Sequence, residues 1–125
     1  MRRGLLAIIG LLAFWFAGPA FAASAPASPF NNWASIVVAG DWRAHDGGPT
    51  EAFDNARRDV AATLVSLGFR PDAMTQFSTH PERYTDPAPE RLTAQSMLDA
   101  LKTATARAPA GCLVYYTSHG SPEGA

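Results

Sequence analysis

From Trp33 onward, hydrophobic positions fall alternately into short continuous runs and longer stripes of three- and four-residue spacing. Residues 35–39 (SIVVA) form a short β-branched run closed by Gly40-Asp41, the pattern of a strand buried on both faces. A turn-rich stretch follows over residues 41–50 and holds Gly47-Gly48-Pro49. Phe53, Ala56, Val60, Leu64 and Leu67 then recur at helical steps, which predicts a helix over residues 51–67 with that stripe inward. Arg57, Arg58 and Asp59 lie largely off the stripe, and Gly68 stands where a left-handed C-terminal cap belongs. A weaker strand is expected over residues 73–78. Residues 79–91 hold Pro81, Pro87 and Pro89, and no regular element is expected there. Thr93 fits the N-cap of a second helix reaching to about residue 106, with Leu92 and Met97 placed as a hydrophobic staple. Its expected inner stripe is Ala94, Leu98, Leu101 and Thr105. The best strand of the chain, residues 112–117 (CLVYYT), follows Pro109-Ala110-Gly111 and runs straight into Ser118-His119-Gly120.

The order is β-α-β-α-β. Strand–helix–strand crossovers are right-handed in nearly all folds, so the fold class expected is α/β, a mostly parallel sheet flanked by helices. Ligands in such sheets gather beyond the C-terminal strand ends, where the strand order reverses. Two rich loops leave such ends: residues 41–50 after the first strand, and Ser118-His119-Gly120 after the third. If those strands are neighbours, the loops meet. Three strands and two helices also leave a sheet edge uncovered, so residues 33–125 read as the N-terminal part of a larger domain.

The first 27 residues follow another plan. Arg2 and Arg3 precede an apolar run from Leu5 to Phe16; Gly18-Pro19 then break it, and Ala20-Phe21-Ala22 supplies a small-x-small site. That is the plan of a secretory signal peptide cleaved after Ala22, the run being well short of the about 20 residues a bilayer span needs. The expectation is an exported protein, periplasmic or secreted, with no stable membrane insertion after cleavage. Residues 23–32 read as a flexible leader, small and Pro-rich at their start.

Composition narrows the function classes. The chain has 125 residues, 47% of them hydrophobic, which suits one globular domain and argues against disorder. Cleavage after Ala22 would leave eight basic against eleven acidic side chains, a net charge of −3 that offers nothing to nucleic acid. One cysteine forms no internal disulfide and no cysteine-based metal site. His45, His80 and His119 show no short ligand spacing such as i, i+4 among themselves, and with Asp41 and Asp46 as the conceivable acids neither metal nor cofactor is expected.

His119 is the leading chemical group: its imidazole emerges at a sheet edge and can serve as base and acid near neutral pH. Gly120 leaves a backbone N–H unobstructed, as an oxyanion site requires. Cys112 is not its partner, because seven residues of extended chain at roughly 3.3 Å each place it about 23 Å away. It reads as a small buried hydrophobe. Asp41 is placed to orient an imidazole or touch substrate, and equally to bond its own turn. Arg43 shares that loop.

Val38-Ala39-Gly40, the run from Phe53 to Asp59 (FDNARRD) and the run from Val114 to Ser121 (VYYTSHGS) together resemble the legumain-like cysteine peptidases, family C13, in particular its bacterial exported members. The likeness spans residues 33–125, and its most specific part is the apolar-Tyr-x-Thr-x-His-Gly-Ser segment. The resemblance implies a caspase-like fold, a catalytic role for His119 and an oxyanion role for the Gly120 N–H. It implies that the nucleophilic cysteine follows a later strand, a position Cys112 does not occupy. A pocket-lining arginine of legumain has Phe53 opposite it here, and Arg43 matches it only with a gap, so preference for asparagine is not implied. The expected function is an exported cysteine peptidase acting on peptides or proteins. The alternatives are a non-catalytic exported binding module using the 41–50 loop and Trp42, or a peptide transamidase.

Overall fold

A computed structural model describes residues 27–85 and 88–120. The signal-peptide reading of residues 1–22 falls outside them. The elements are β1 (Trp33–Ala39), α1 (Ala52–Ser66), β2 (Met74–Ser78), β3 (Glu90–Arg91), α2 (Ala94–Arg107) and β4 (Gly111–Thr117), with 3-10 turns at Pro71–Ala73 and Pro81–Arg83. All four strands are parallel, in the order β3-β2-β1-β4. The protein is therefore an α/β fold with a parallel sheet flanked by helices. β1 is central, and Ala34 to Ala39 are all buried, as its unbroken β-branched run requires.

β2 and β4 flank β1 on opposite sides, so crossovers of one hand must carry their helices to opposite faces. Alternate residues of β1 record this. Ile36 and Val38 join Phe77, Ala104, Met97 and Leu101 on the α2 face, while Val37 joins Leu64, Phe69 and Val60 on the α1 face.

Local chemistry sets the helix ends. The Thr93 hydroxyl accepts from the Ser96 N–H at 2.9 Å, and the Ser96 hydroxyl accepts from the Thr93 N–H at 3.0 Å, a reciprocal box. At the end of α1, Gly68 takes φ +97°; its N–H bonds Val65 O at 2.9 Å and the Phe69 N–H bonds Leu64 O at 3.0 Å. Those two bonds form a Schellman cap, sealed by Phe69 against Leu64.

Four expectations are corrected. The inner stripe of α1 runs Asp54, Arg57, Ala61, Leu64, and Leu67 is exposed; Arg57, expected off the stripe, is fully buried. The stripe is turned because Arg57 and Asp54 bond each other beneath the helix at 2.8 Å. In α2 the inward residues are Met97, Ala100, Leu101 and Ala104, whereas Ala94, Leu98 and Thr105 face solvent. Small and apolar residues fall on several sides of α2, so more than one stripe of helical spacing can be drawn through it, and the one opposite Gln95, Asp99 and Lys102 is the one that packs. The Pro-rich 79–91 stretch carries a 3-10 turn and the short β3, whose residues pair with Phe77 and Ser78. The end of the expected leader is docked: Phe30 stacks on Phe69 at 4.8 Å, and the Ser28 hydroxyl donates to Leu67 O at 2.8 Å.

Candidate active site

The strand order reverses between β1 and β4, so the two loops suspected from sequence do meet. Ala39 pairs with Thr117, and the Gly40 N–H continues the ladder to Thr117 O at 2.8 Å. Beyond that rung the two chains diverge and leave a shallow cleft of about 270 Å³ lined by Asp41, Arg43, Ala44, His45, Gly47 and His119. This is where an open parallel sheet places its chemistry.

The loop after β1 is tied together by its own backbone and side-chain bonds. Arg43 bridges Pro49 across it, Thr50 N–H bonds Trp42 O at 2.8 Å, and Ala44 N–H bonds Gly48 O at 2.6 Å. The reversal needs Gly47 at φ +84°, and the Asp46 carboxylate accepts the Gly48 N–H at 3.0 Å. Asp41 Oδ1 accepts the backbone N–H of Trp42 at 2.7 Å and of Arg43 at 3.0 Å, with the Arg43 Nε at 3.5 Å. Burial pushes the Asp41 carboxyl up, but those N–H donors and the guanidinium together hold it below the usual carboxylate range. Asp41 thus shapes the turn that presents Arg43.

The Arg43 carbonyl oxygen lies 2.7 Å from His119 Nε2. A carbonyl only accepts, so Nε2 carries a hydrogen, and in the neutral ring the lone pair is on Nδ1. The Phe53 ring stands edge-on to the imidazole, centroids 4.9 Å apart at 80°, and the His45 ring lies 6.4 Å away. Gly120 takes φ +73°, and its N–H donates to the Ser118 hydroxyl at 3.0 Å. The structure brings the expected His119, Gly120, Asp41 and Arg43 to one end of the sheet and adds two partners to His119 that the sequence pattern did not point to. The Arg43 carbonyl carries no signature in a side-chain code, and Phe53 read as an apolar stripe position and, by resemblance, as the residue opposite legumain's pocket-lining arginine, with no link to His119.

Other sequence candidates go elsewhere. Cys112 pairs with Ala34 at the start of β4, the end of the sheet opposite His119, and packs against the α2-face core. Burial pushes its thiol up, away from the reactive thiolate. Trp42 turns its ring to His80, centroids 4.7 Å apart, and His80 Nδ1 pairs with Glu82 at 2.9 Å. Among the described residues no group of three or more metal-ligating side chains forms, and no helix is long and apolar enough to cross a membrane. A larger apolar groove of about 480 Å³ runs between α1 and β2, bordered by Ala61, Val65, Met74 and Ala88, and its lining holds neither imidazole nor thiol.

Comparison with protein-family models, curated proteins and solved structures returns no match for this chain.

Proposed function

We propose that the protein is an exported cysteine peptidase of the legumain-like type in which His119 is the general base and acid. The observation that supports this reading is the His119–Arg43 contact at the β1/β4 switch point, which fixes the tautomer with Nδ1 available. The nucleophile is not Cys112, the one cysteine of the sequence, and is supplied from outside residues 1–125.

In the proposed reaction Nδ1 takes the thiol proton as the sulfur attacks the peptide carbonyl carbon. The imidazolium formed is steadied by its Nε2–H bond to Arg43 O. The carbonyl oxygen gains the negative charge and replaces the Ser118 hydroxyl as acceptor of the Gly120 N–H. Collapse breaks the C–N bond, and Nδ1–H gives its proton to the leaving amine. Water then hydrolyses the thioester by the same base.

The test uses the full-length gene product and a mixed fluorogenic peptide library. His119→Ala is expected to cut turnover by about 10²-fold or more, while Cys112→Ala leaves it unchanged. Turnover that survives His119→Ala, or that dies with Cys112→Ala, refutes the assignment.

A further inference from the structure

We propose that Phe53 is a positioning residue for His119, locking the imidazole against rotation about its single hydrogen bond. The catalytic half of this inference rests on the peptidase reading; the spectroscopic half does not.

His119 is exposed and lies beyond the last rung of β4, so sheet packing does not hold its ring. The one hydrogen bond its ring makes among the described residues, to Arg43 O, fixes Nε2 alone. A ring tethered at one atom still turns about that bond and about its own Cβ–Cγ axis. Such turning breaks the bond periodically and lets the proton sit on either nitrogen.

Phe53 supplies the second point of contact. It sits in the first turn of α1, yet it joins neither core cluster among the described residues. Its aromatic partner is the His119 ring, met edge-on at 80° with 4.9 Å between centroids. An edge-to-face pair biases a ring between orientations by up to about 10-fold. His45, with centroids at 6.4 Å and a tilt of 59°, is too far to do the same. A large apolar residue at the start of an otherwise core-facing helix therefore has a local role that burial does not explain.

The experiment uses the full-length protein with ¹⁵N-labelled histidine, the His119 signals being assigned by their loss in His119→Gln. Wild type and Phe53→Tyr, which keeps the ring, are expected to show the Nε2–H tautomer alone. Phe53→Leu keeps an apolar side chain on the helix but removes the ring, and is expected to show both nitrogens averaged. Its kcat should fall about 10-fold at unchanged KM, with Phe53→Tyr within about 2-fold of wild type. A single tautomer retained in Phe53→Leu overturns the proposal, whether or not kcat falls. An averaged tautomer with kcat unchanged overturns its catalytic half. If His119→Gln keeps full turnover, the peptidase reading fails, and the nitrogen spectra alone then decide whether Phe53 holds the ring.

Discussion

The buried pair under α1 offers the sharpest test of how the fold is held. Arg57 is fully buried and donates from Nε to Asp54 Oδ1 at 2.8 Å and from Nη1 to Gln76 Oε1 at 2.6 Å. Asp54 accepts further from the Ser78 hydroxyl at 3.0 Å, which ties α1 to the end of β2. Arg57→Met removes both guanidinium bonds and leaves the Asp54 carboxylate, 3% exposed, with the Ser78 hydroxyl as its one hydrogen-bond donor among the described residues. Removing one partner of a buried ion pair costs about 3–5 kcal/mol. Against a total stability of about 5–15 kcal/mol, that is a large fraction. At a urea m value of about 1.5 kcal/mol/M, the midpoint should drop by about 2 M or more, with m unchanged. The double variant Asp54→Asn/Arg57→Met removes the stranded charge while the amide oxygen still accepts from Ser78. It should recover to within about 1–2 kcal/mol of wild type, because the intact pair offsets little beyond its own desolvation. Part of that desolvation is visible: Arg57 Nη2 is buried with no hydrogen-bond partner among the described residues. Equilibrium urea unfolding followed by tryptophan fluorescence measures both. A single variant within about 1 kcal/mol of wild type, or a double variant no more stable than the single, would refute the argument.

Three further outcomes are expected. Iodoacetamide should label Cys112 more slowly in the native protein than after denaturation at the same pH, since burial raises its thiol; equal rates would move Cys112 out of the core. Gly68→Ala forces a side chain onto φ +97° and into the Ser28 side chain, and should cost about 1–2 kcal/mol, read as a drop in Tm of about 5–10 °C. Asp41 is held below the ordinary carboxylate value, so the stability it adds is complete above its unfolded pKa of about 3.9 and is lost as pH falls through its lower folded value. The stability gap between wild type and Asp41→Asn should therefore narrow from pH 5 to pH 3, and a gap that widens would reverse the sign.

The fold was legible where one physical signal dominated. β1 announces itself because every residue from Ala34 to Ala39 is inside, leaving no polar alternation to confuse the period. Thr93 and Gly68 were legible because caps depend on neighbours within a few residues. Helix phase was harder. In α1 two stripes offset by one residue both repeat at helical spacing, and only tertiary pairing of Asp54 and Arg57 with Ser78 and Gln76 selects the charged one. A rule that sends charges outward cannot anticipate a charge whose partners lie on a strand 19 residues away. β3 was illegible for a related reason, since two charged residues just after Pro87 and Pro89 hold no pattern and exist as strand only by pairing with β2.

The site divides along the same line. His119 and Gly120 were legible as candidates because an imidazole followed by a glycine, straight after a strong strand, is written in consecutive residues. What orients the His119 ring was not, because it comes from a backbone oxygen 76 residues earlier in the chain and an aromatic ring on α1. Strand order brings these together: had β4 paired with β2 instead of β1, the same residues would present an imidazole with no carbonyl to fix its tautomer. The turn at Asp46-Gly47-Gly48 belongs to the same device, because it keeps the Arg43 carbonyl pointing across the switch point while its side chain stays in solvent. Substitutions at Gly47 and at Arg43 should therefore separate. Gly47→Val strains a left-handed residue and loosens the carbonyl, so it should disturb the His119 tautomer, whereas Arg43→Ala alters only the exposed side chain and should leave it intact. The reverse result in the His119 ring-nitrogen spectrum would mean that the guanidinium, and not the backbone, governs the imidazole.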